Sequence, residues 1–377
     1  MVKPNTDFTK GLEQLLARIW QLNSDELDNT YIKKTREAII DVRTIYRNKG
    51  EKLRGEKVRR YSQSIDFSKK RYRAGYVAAF GERHAYLTYR HLKKVEASVP
   101  EVIPETSNGE LTVTVIGAGA ALELFGLCYF YNEEKSRIRK LHLNFIEKVD
   151  DWQSDRDTML ERIIKKTFPK IQTFTNNINI GLHQDNVVSL SQKYDSLAKS
   201  DIILIYNVLN EITHNFQKYV WKNLEYIFKI CDKRALVLLM EPSANYTLSR
   251  IKPIYDRLNV YGRTALKAEE DKFIFNTGQL KIQYEETNDG LNVRLFKNYK
   301  GGPKPSFEKT LHRIHMACTI SPLSPISQFD AEHQFRSTNR KRLSSTNDLK
   351  TKEQSSFYQI DNDFGKHKGS LKFFNEP

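Results

Sequence analysis

From residue 111 to about 300, apolar runs of strand length alternate with stretches of helical periodicity, and few folds accept that pattern. The expected strands are Thr112–Ile116, His142–Glu147, Asn177–Leu182, Asp201–Tyr206 and Ala235–Met240, with helical spacing at Leu122–Tyr131, Asp155–Phe168, His214–Ile230 and Asn245–Leu258. Strands that are apolar almost throughout must be covered on both faces, as in a parallel sheet between helical layers. The stretch from 280 to 299 reads as an antiparallel hairpin turning at Asn288, Asp289 and Gly290. The expected class is α/β: a mostly parallel sheet with a terminal antiparallel hairpin, preceded by an α-helical N-terminal region.

Three segments follow from composition. Residues 1–110 form a basic helical region, in which Phe8, Leu12, Leu15, Leu16, Ile19 and Trp20 share one helix face. A Pro- and Gly-containing stretch, 98–110, separates it from the alternating domain, 111–300. From 301 to 377 the chain is expected to be a polar, largely disordered tail rich in Ser, Thr, Asn and Lys, able to meet protein partners.

A formal net charge of +15 favours an anionic partner, RNA above all. The densest basic stretch, Arg43 to Arg73, interleaves Tyr46, Tyr61, Phe67 and Tyr72 among its cations, so rings could stack on bases while charges meet phosphates. The same tyrosines serve equally well to pack a helix. Cys128, Cys231 and Cys318 lie far apart, with no metal-ligand spacing, so no metal site is expected and a reducing compartment fits best. No apolar run is long enough to span a bilayer and the start lacks the apolar core of a secretion signal, so the expected location is cytoplasmic, with no membrane partner.

The chemistry concentrates where the expected strands end. After Ile116 comes Gly117-Ala118-Gly119, then a helix whose N-terminus faces back toward the strand. Without a Cβ at Gly117 and Gly119 the backbone can turn tightly and a ligand can come close. The second strand runs out into Glu147, whose carboxylate could accept hydrogen bonds from both hydroxyls of a ribose. The third runs into His183-Gln184-Asp185-Asn186, the fourth into Tyr206-Asn207-Val208-Leu209-Asn210-Glu211, the fifth into Glu241-Pro242. Ligands of open α/β sheets sit at this carboxyl edge. A nucleoside-type ligand is the reading that uses all five ends.

This order of glycine turn, acidic second strand, Asp-bearing third strand and VLNEI after the fourth resembles the class I S-adenosylmethionine-dependent methyltransferases over about residues 85–300. The resemblance implies a Rossmann-like sheet and S-adenosyl-L-methionine as cofactor. It places Gly117, Ala118 and Gly119 under the methionine part, Glu147 on the ribose, Asp185 with Asn186 at the adenine, and Asn207 to Glu211 beside the transferred methyl. Val115 and Ala121 stand where the family often has an acidic residue and a third glycine. A fainter similarity, to the ribosomal small-subunit methyltransferase-like group, rests on the tyrosine-rich stretch Tyr76 to Val95 and on Met240-Glu241-Pro242, without that group's cysteine clusters. A dinucleotide fingerprint fits less well, because it needs a small residue where Leu122 stands and an acidic residue nearer the glycines than Glu147.

For the acceptor side, Asn210, Glu211 and His214 are the polar candidates to orient or deprotonate a nucleophile, although Asn210 would equally serve as a helix cap. The Asn-Pro-Pro-Tyr segment of amino-group methyltransferases is absent, as is a cysteine nucleophile after the fourth strand. The expected function is an S-adenosylmethionine-dependent methyltransferase acting on RNA or a nucleic-acid-associated substrate. The alternative is a catalytically inactive, methyltransferase-like scaffold or sensor in a nucleoprotein complex.

Overall fold

In the computed structural model the described residues are 6–55, 65–98, 100–106, 108–133, 138–179, 195–209, 217–231, 235–242, 278–283, 290–297, 299 and 310–320. They belong to a unit spanning Met1–Pro322; a second unit, Leu323–Pro377, lies outside them.

Seven described strands make one sheet: β1 (Glu110–Ile116), β2 (Lys140–Ile146), β3 (Gln172–Ile178), β4 (Ile202–Tyr206), β5 (Ala235–Pro242), β6 (Gly278–Gln283) and β7 (Thr310–Ile320). Their order is β3-β2-β1-β4-β5-β7-β6. The first five are parallel, while β7 runs antiparallel to both β5 and β6. The chain steps outward from β1 to β3 and then returns to the far side of β1 for β4. That reversal opens a crevice between the carboxyl ends of β1 and β4, where open α/β sheets take their ligands.

Strand residues alternate between two faces, and the burial follows that alternation. Val113, Val115, Leu141, Leu143, Leu204 and Leu238 join one core, under α1 (Thr6–Ile19), α3 (Lys70–Ser98) and α4 (Glu123–Glu133). Ile116, Ile146, Ile203, Ile205, Val237 and Leu239 join the other, with Leu197 of α7 (Asp195–Ala198) and Leu224, Ile227 and Phe228 of α8 (Gln217–Ile230). The N-terminal helices are thus one wall of the sheet domain's own core. Phe8 of α1 stacks on Phe125 of α4 with centroids 4.0 Å apart. The helix α2 (Asn29–Gly55) packs against α3, where Gly75 lies over the Ala38 carbonyl. Beyond β2 the chain forms α5 (Trp152–Met159), a π-helical turn (Leu160–Ile164) and α6 (Lys165–Thr167).

The closest helix approach fixes a prediction. A Cβ on Gly126 of α4 would lie 2.0 Å from the backbone oxygen of Ala85 on α3, so the two helices could not keep their spacing. Gly126→Ala is expected to cost at least about 3 kcal/mol in urea unfolding, the upper range for overpacking. Gly81→Ala, which meets only side-chain methyl groups, of Leu12 at 3.2 Å and Leu122 at 3.7 Å, should cost under about 1 kcal/mol.

Three expectations change. The hairpin turning at residues 288–290 is not formed, because Leu291–Phe296 is helical (α9) and the antiparallel neighbour of β6 is β7. Leu291, Asn292, Leu295 and Phe296 are buried together, and their three- and four-residue spacing suits a helix better than a strand alternating between two faces. Thr310–Ile320, placed above in the polar tail, forms β7. The third strand begins at Gln172 instead of Asn177: its residues are mostly exposed or half-buried at the sheet's edge, so no apolar run marks them. Among the described residues no helix is long and apolar enough to cross a membrane, and no cluster of His, Cys, Asp and Glu could hold a metal ion. Burial pushes the Cys128 thiol up to about 12, leaving it a protonated packing group.

Candidate functional site

At the end of β1 the Gly117 N–H donates to the Ile146 carbonyl at 2.8 Å, and the backbone turns into left-handed conformations at Gly117 (φ 65°) and Gly119 (φ 47°). The two glycines are needed for different reasons. A Cβ on Gly117 would sit 2.4 Å from Cγ2 of Val208, whereas one on Gly119 meets nothing closer than Trp152 at 3.8 Å. At Gly117 the turn is pressed against the segment after β4; at Gly119 it is open. The Ala118 side chain is buried in the core, so only its backbone could face a ligand. Ala121 is also left-handed, at φ 55°, a conformation that costs a residue with a Cβ about 1–2 kcal/mol.

Glu147, one residue past β2, holds this turn. Its Oε2 accepts the Gly119 N–H at 2.9 Å and its Oε1 accepts the Val149 N–H at 2.9 Å. A carboxylate offers about four acceptor positions. With one used on each oxygen, the half-buried group retains one on each for a ligand.

Beneath the turn lies Arg156 of α5, only 1% exposed. Its Nη1 donates to the Gly119 carbonyl at 3.1 Å, while Nε and Nη2 both donate to Oδ1 of Asn177 on β3, at 3.2 and 2.9 Å. Burial lowers the guanidinium pKa, against the attraction of Glu147 and of the acidic residues around Asp155. One cation thus ties the glycine turn to the end of the third strand.

A second buried pair anchors α3 to α5. Nε of Arg73 donates to Asp155 Oδ2 at 2.8 Å, and its Nη1 donates to the carbonyls of Phe67 and Ser68. Burial nevertheless raises the Asp155 carboxyl to about 6, the Arg73 charge offsetting only part of that cost. A raised pKa means that the folded chain binds this proton more tightly than the unfolded one. Its contribution is therefore fully present below about pH 4 and is lost as pH rises toward 6, by about 3 kcal/mol. The urea midpoint of the wild type, measured relative to Asp155→Asn, should fall across that window; a flat or rising difference would contradict it.

Aromatic rings line the α3 side of the turn. Tyr76 meets Phe67, Phe80, His84 and Trp152 at centroid distances of 5.3, 5.3, 5.5 and 6.1 Å. His84 in turn holds Glu123 and Asn207: Nδ1 lies 2.9 Å from Glu123 Oε1, and Nε2 lies 3.2 Å from Asn207 Nδ2. Asn207, directly after β4, is left-handed (φ 56°) and half-buried. Glu241, 0% exposed at the end of β5, accepts the N–H groups of Val208 and Leu209 at 2.8 and 2.7 Å. It fixes the backbone of the segment after β4.

Of the residues expected at the site, Gly117, Gly119, Glu147 and Asn207 converge on the crevice between β1 and β4, while Ala118 is buried and its N–H and carbonyl bond Ile146 and Ala121. Asp185, Asn186, Asn210, Glu211 and His214 lie outside the described residues. Sequence reasoning missed Arg156, Glu123 and His84. Glu123 did carry a signal, as a lone carboxylate inside the apolar run after the glycines. Tyr76, Phe80 and His84 were legible as one helix face by their four-residue spacing. In the basic stretch, Arg73 is consumed by the fold, Arg71 pairs with Asp41, and Lys69 lies 3.7 Å from Asp66. Side chains from Arg47 to Ser64 are outside the described set.

No model of a known protein family matches this chain, and no curated protein does. Among solved structures, an O-methyltransferase family protein from Burkholderia thailandensis is similar at 10% identity, covering 82% of this chain and 76% of its own, with a TM-score of 0.36. A putative class I S-adenosylmethionine-dependent methyltransferase from Listeria monocytogenes is similar at 11% identity over 85% and 89% of the two chains, with a TM-score of 0.37. The plantazolicin methyltransferase BpumL, solved in complex with SAH, is similar at 9% identity over 83% and 97%, with a TM-score of 0.31. All three lie at or below 11% identity and a TM-score of 0.37.

Proposed function

We propose that this chain is an S-adenosylmethionine-dependent methyltransferase whose acceptor is RNA or a nucleic-acid-associated molecule. The observation that carries the proposal is the placement of Glu147. It follows the strand next to β1, holds the glycine turn through Oε2 and its own loop through Oε1, and keeps a second position on each oxygen for a pair of neighbouring hydroxyls. A ribose presents such a pair. The open space over Gly119 leaves room for the chain attached to it. Leu122, 1% exposed, packs toward Gly81 of α3, so the turn is built against that helix and lacks the third small residue of a dinucleotide fingerprint.

The residues present fit the cofactor's nucleoside and amino-acid parts. Bound there, S-adenosylmethionine would supply a methyl group activated by its sulfonium. The protein's share is positioning. Glu147 orients the ribose, the open backbone at Gly119 lets the ligand approach closely, and Tyr76, Phe80 and Trp152 form an aromatic wall that keeps water from one side.

The charge of +15 supports the nucleic-acid acceptor. With Arg73 buried, phosphate contacts would have to come from other cations of the stretch Arg43 to Arg73. Incubating the full chain with methyl-labelled cofactor and total cell extract tests the reading. Nuclease-sensitive label is expected; label sensitive only to protease would move the acceptor to protein. Cofactor binding with no label in any fraction would favour the scaffold or sensor.

A further inference from the structure

The pair His84–Glu123 is buried at the inner end of the crevice, with His84 4% and Glu123 6% exposed. Neither belongs to the glycine turn or to a strand end. A carboxylate can only accept, so the contact of 2.9 Å between Glu123 Oε1 and His84 Nδ1 puts the imidazole proton on Nδ1. In the neutral imidazole Nε2 is then the lone-pair nitrogen, and Asn207 Nδ2, 3.2 Å away, is placed to donate to it. In this arrangement Nδ2 of Asn207 points inward to His84, and Oδ1 makes no protein hydrogen bond among the described residues. Asn207 follows β4, whose Ile205 is paired with Ile116, and the next residue, Val208, presses on Gly117. Asn207 itself therefore lies beside the turn, on the β4 side, with Glu147 on the β2 side.

Resting on the methyltransferase reading, we infer that His84 and Glu123 are positioning residues that lock Asn207 with its amide oxygen toward the ligand, as acceptor for the ammonium of the cofactor's amino-acid part. The left-handed backbone at Asn207 aims the side chain, and the Nδ1-protonated imidazole chooses its rotamer. Reversing the imidazole tautomer would turn an N–H donor toward the ammonium and repel it. Glu123 reaches no ligand; it acts through His84.

Two ligands that share the nucleoside separate this role from general support of the fold. S-adenosylhomocysteine carries the ammonium, and 5′-methylthioadenosine lacks it. In calorimetry on the full chain, His84→Leu should weaken S-adenosylhomocysteine by about tenfold or more, the loss of one charge-assisted hydrogen bond, and leave 5′-methylthioadenosine unchanged. His84→Gln can place an amide oxygen near the former Nε2 and should restore most of the loss. Equal weakening of both ligands, or of neither, overturns the lock. Wild-type protein that binds neither overturns the cofactor reading and the lock with it. A measurement on unaltered protein stands beside these: 15N imidazole spectra should show His84 protonated at Nδ1 and unprotonated at Nε2. The opposite tautomer contradicts the inference even if His84→Leu fails to fold.

Discussion

Glu147→Ala is expected to abolish measurable S-adenosylhomocysteine binding while leaving the chain folded. Each hydrogen bond from a ribose hydroxyl to a carboxylate contributes about 1.5–3 kcal/mol, so losing two weakens binding by about a hundredfold or more. The structural loss is smaller. The N–H groups of Gly119, in the turn, and Val149, after β2, give up their partners, but both residues are only half-buried and water can replace the carboxylate. Calorimetry together with a urea melt separates the two effects. Glu147→Gln, which keeps an acceptor oxygen without the charge, should fall between the wild type and the Ala variant. A variant that binds as tightly as wild type would show that Glu147 is only a clamp for the turn.

Arg156→Met should be the most destabilising change at the site. The guanidinium is buried and satisfies the Gly119 carbonyl and Asn177 Oδ1. Methionine fills much of the volume, but it leaves both oxygens without a donor and removes the cation from Glu147 and the acidic residues around it. Breaking one side of such an arrangement costs about 3 kcal/mol or more, which lowers the Tm of a domain of this size by roughly 6–12 °C. The glycine turn would loosen at the same time, so cofactor affinity should fall with stability. An unchanged Tm would mean that burying the guanidinium costs as much as its contacts return.

How far the sequence reveals this molecule depends on where burial is two-sided. β1, β2, β4 and β5 are buried on both faces, so each reads as an apolar run, and their observed ends fall within two residues of the expected ones. β3 lies at the sheet's edge and carries Gln172, Thr175 and Asn176, so its apolar signal slides toward the chain that follows. The stretch after Asn288-Asp289-Gly290 looked like the second arm of a hairpin because turn residues precede it; burial of one face made it a helix. At the site, glycines and strand-end carboxylates are legible because they follow from the architecture itself. Arg156 is not, and for His84 and Glu123 only the helix face and the lone carboxylate show, since their pairing depends on helices brought together across long separations in the chain. A buried arginine and a surface arginine look alike in a sequence.

The central claim is that the crevice between β1 and β4 holds the nucleoside of S-adenosylmethionine, with Glu147 on its ribose. Titrating the full chain with S-adenosylhomocysteine, and again with its 2′-deoxyribose analogue, tests that contact directly. The account predicts saturable binding of the first and about tenfold or greater weakening of the second, the loss of one hydroxyl-to-carboxylate bond. Equal affinity for the two, or no heat from either at millimolar ligand, would contradict it.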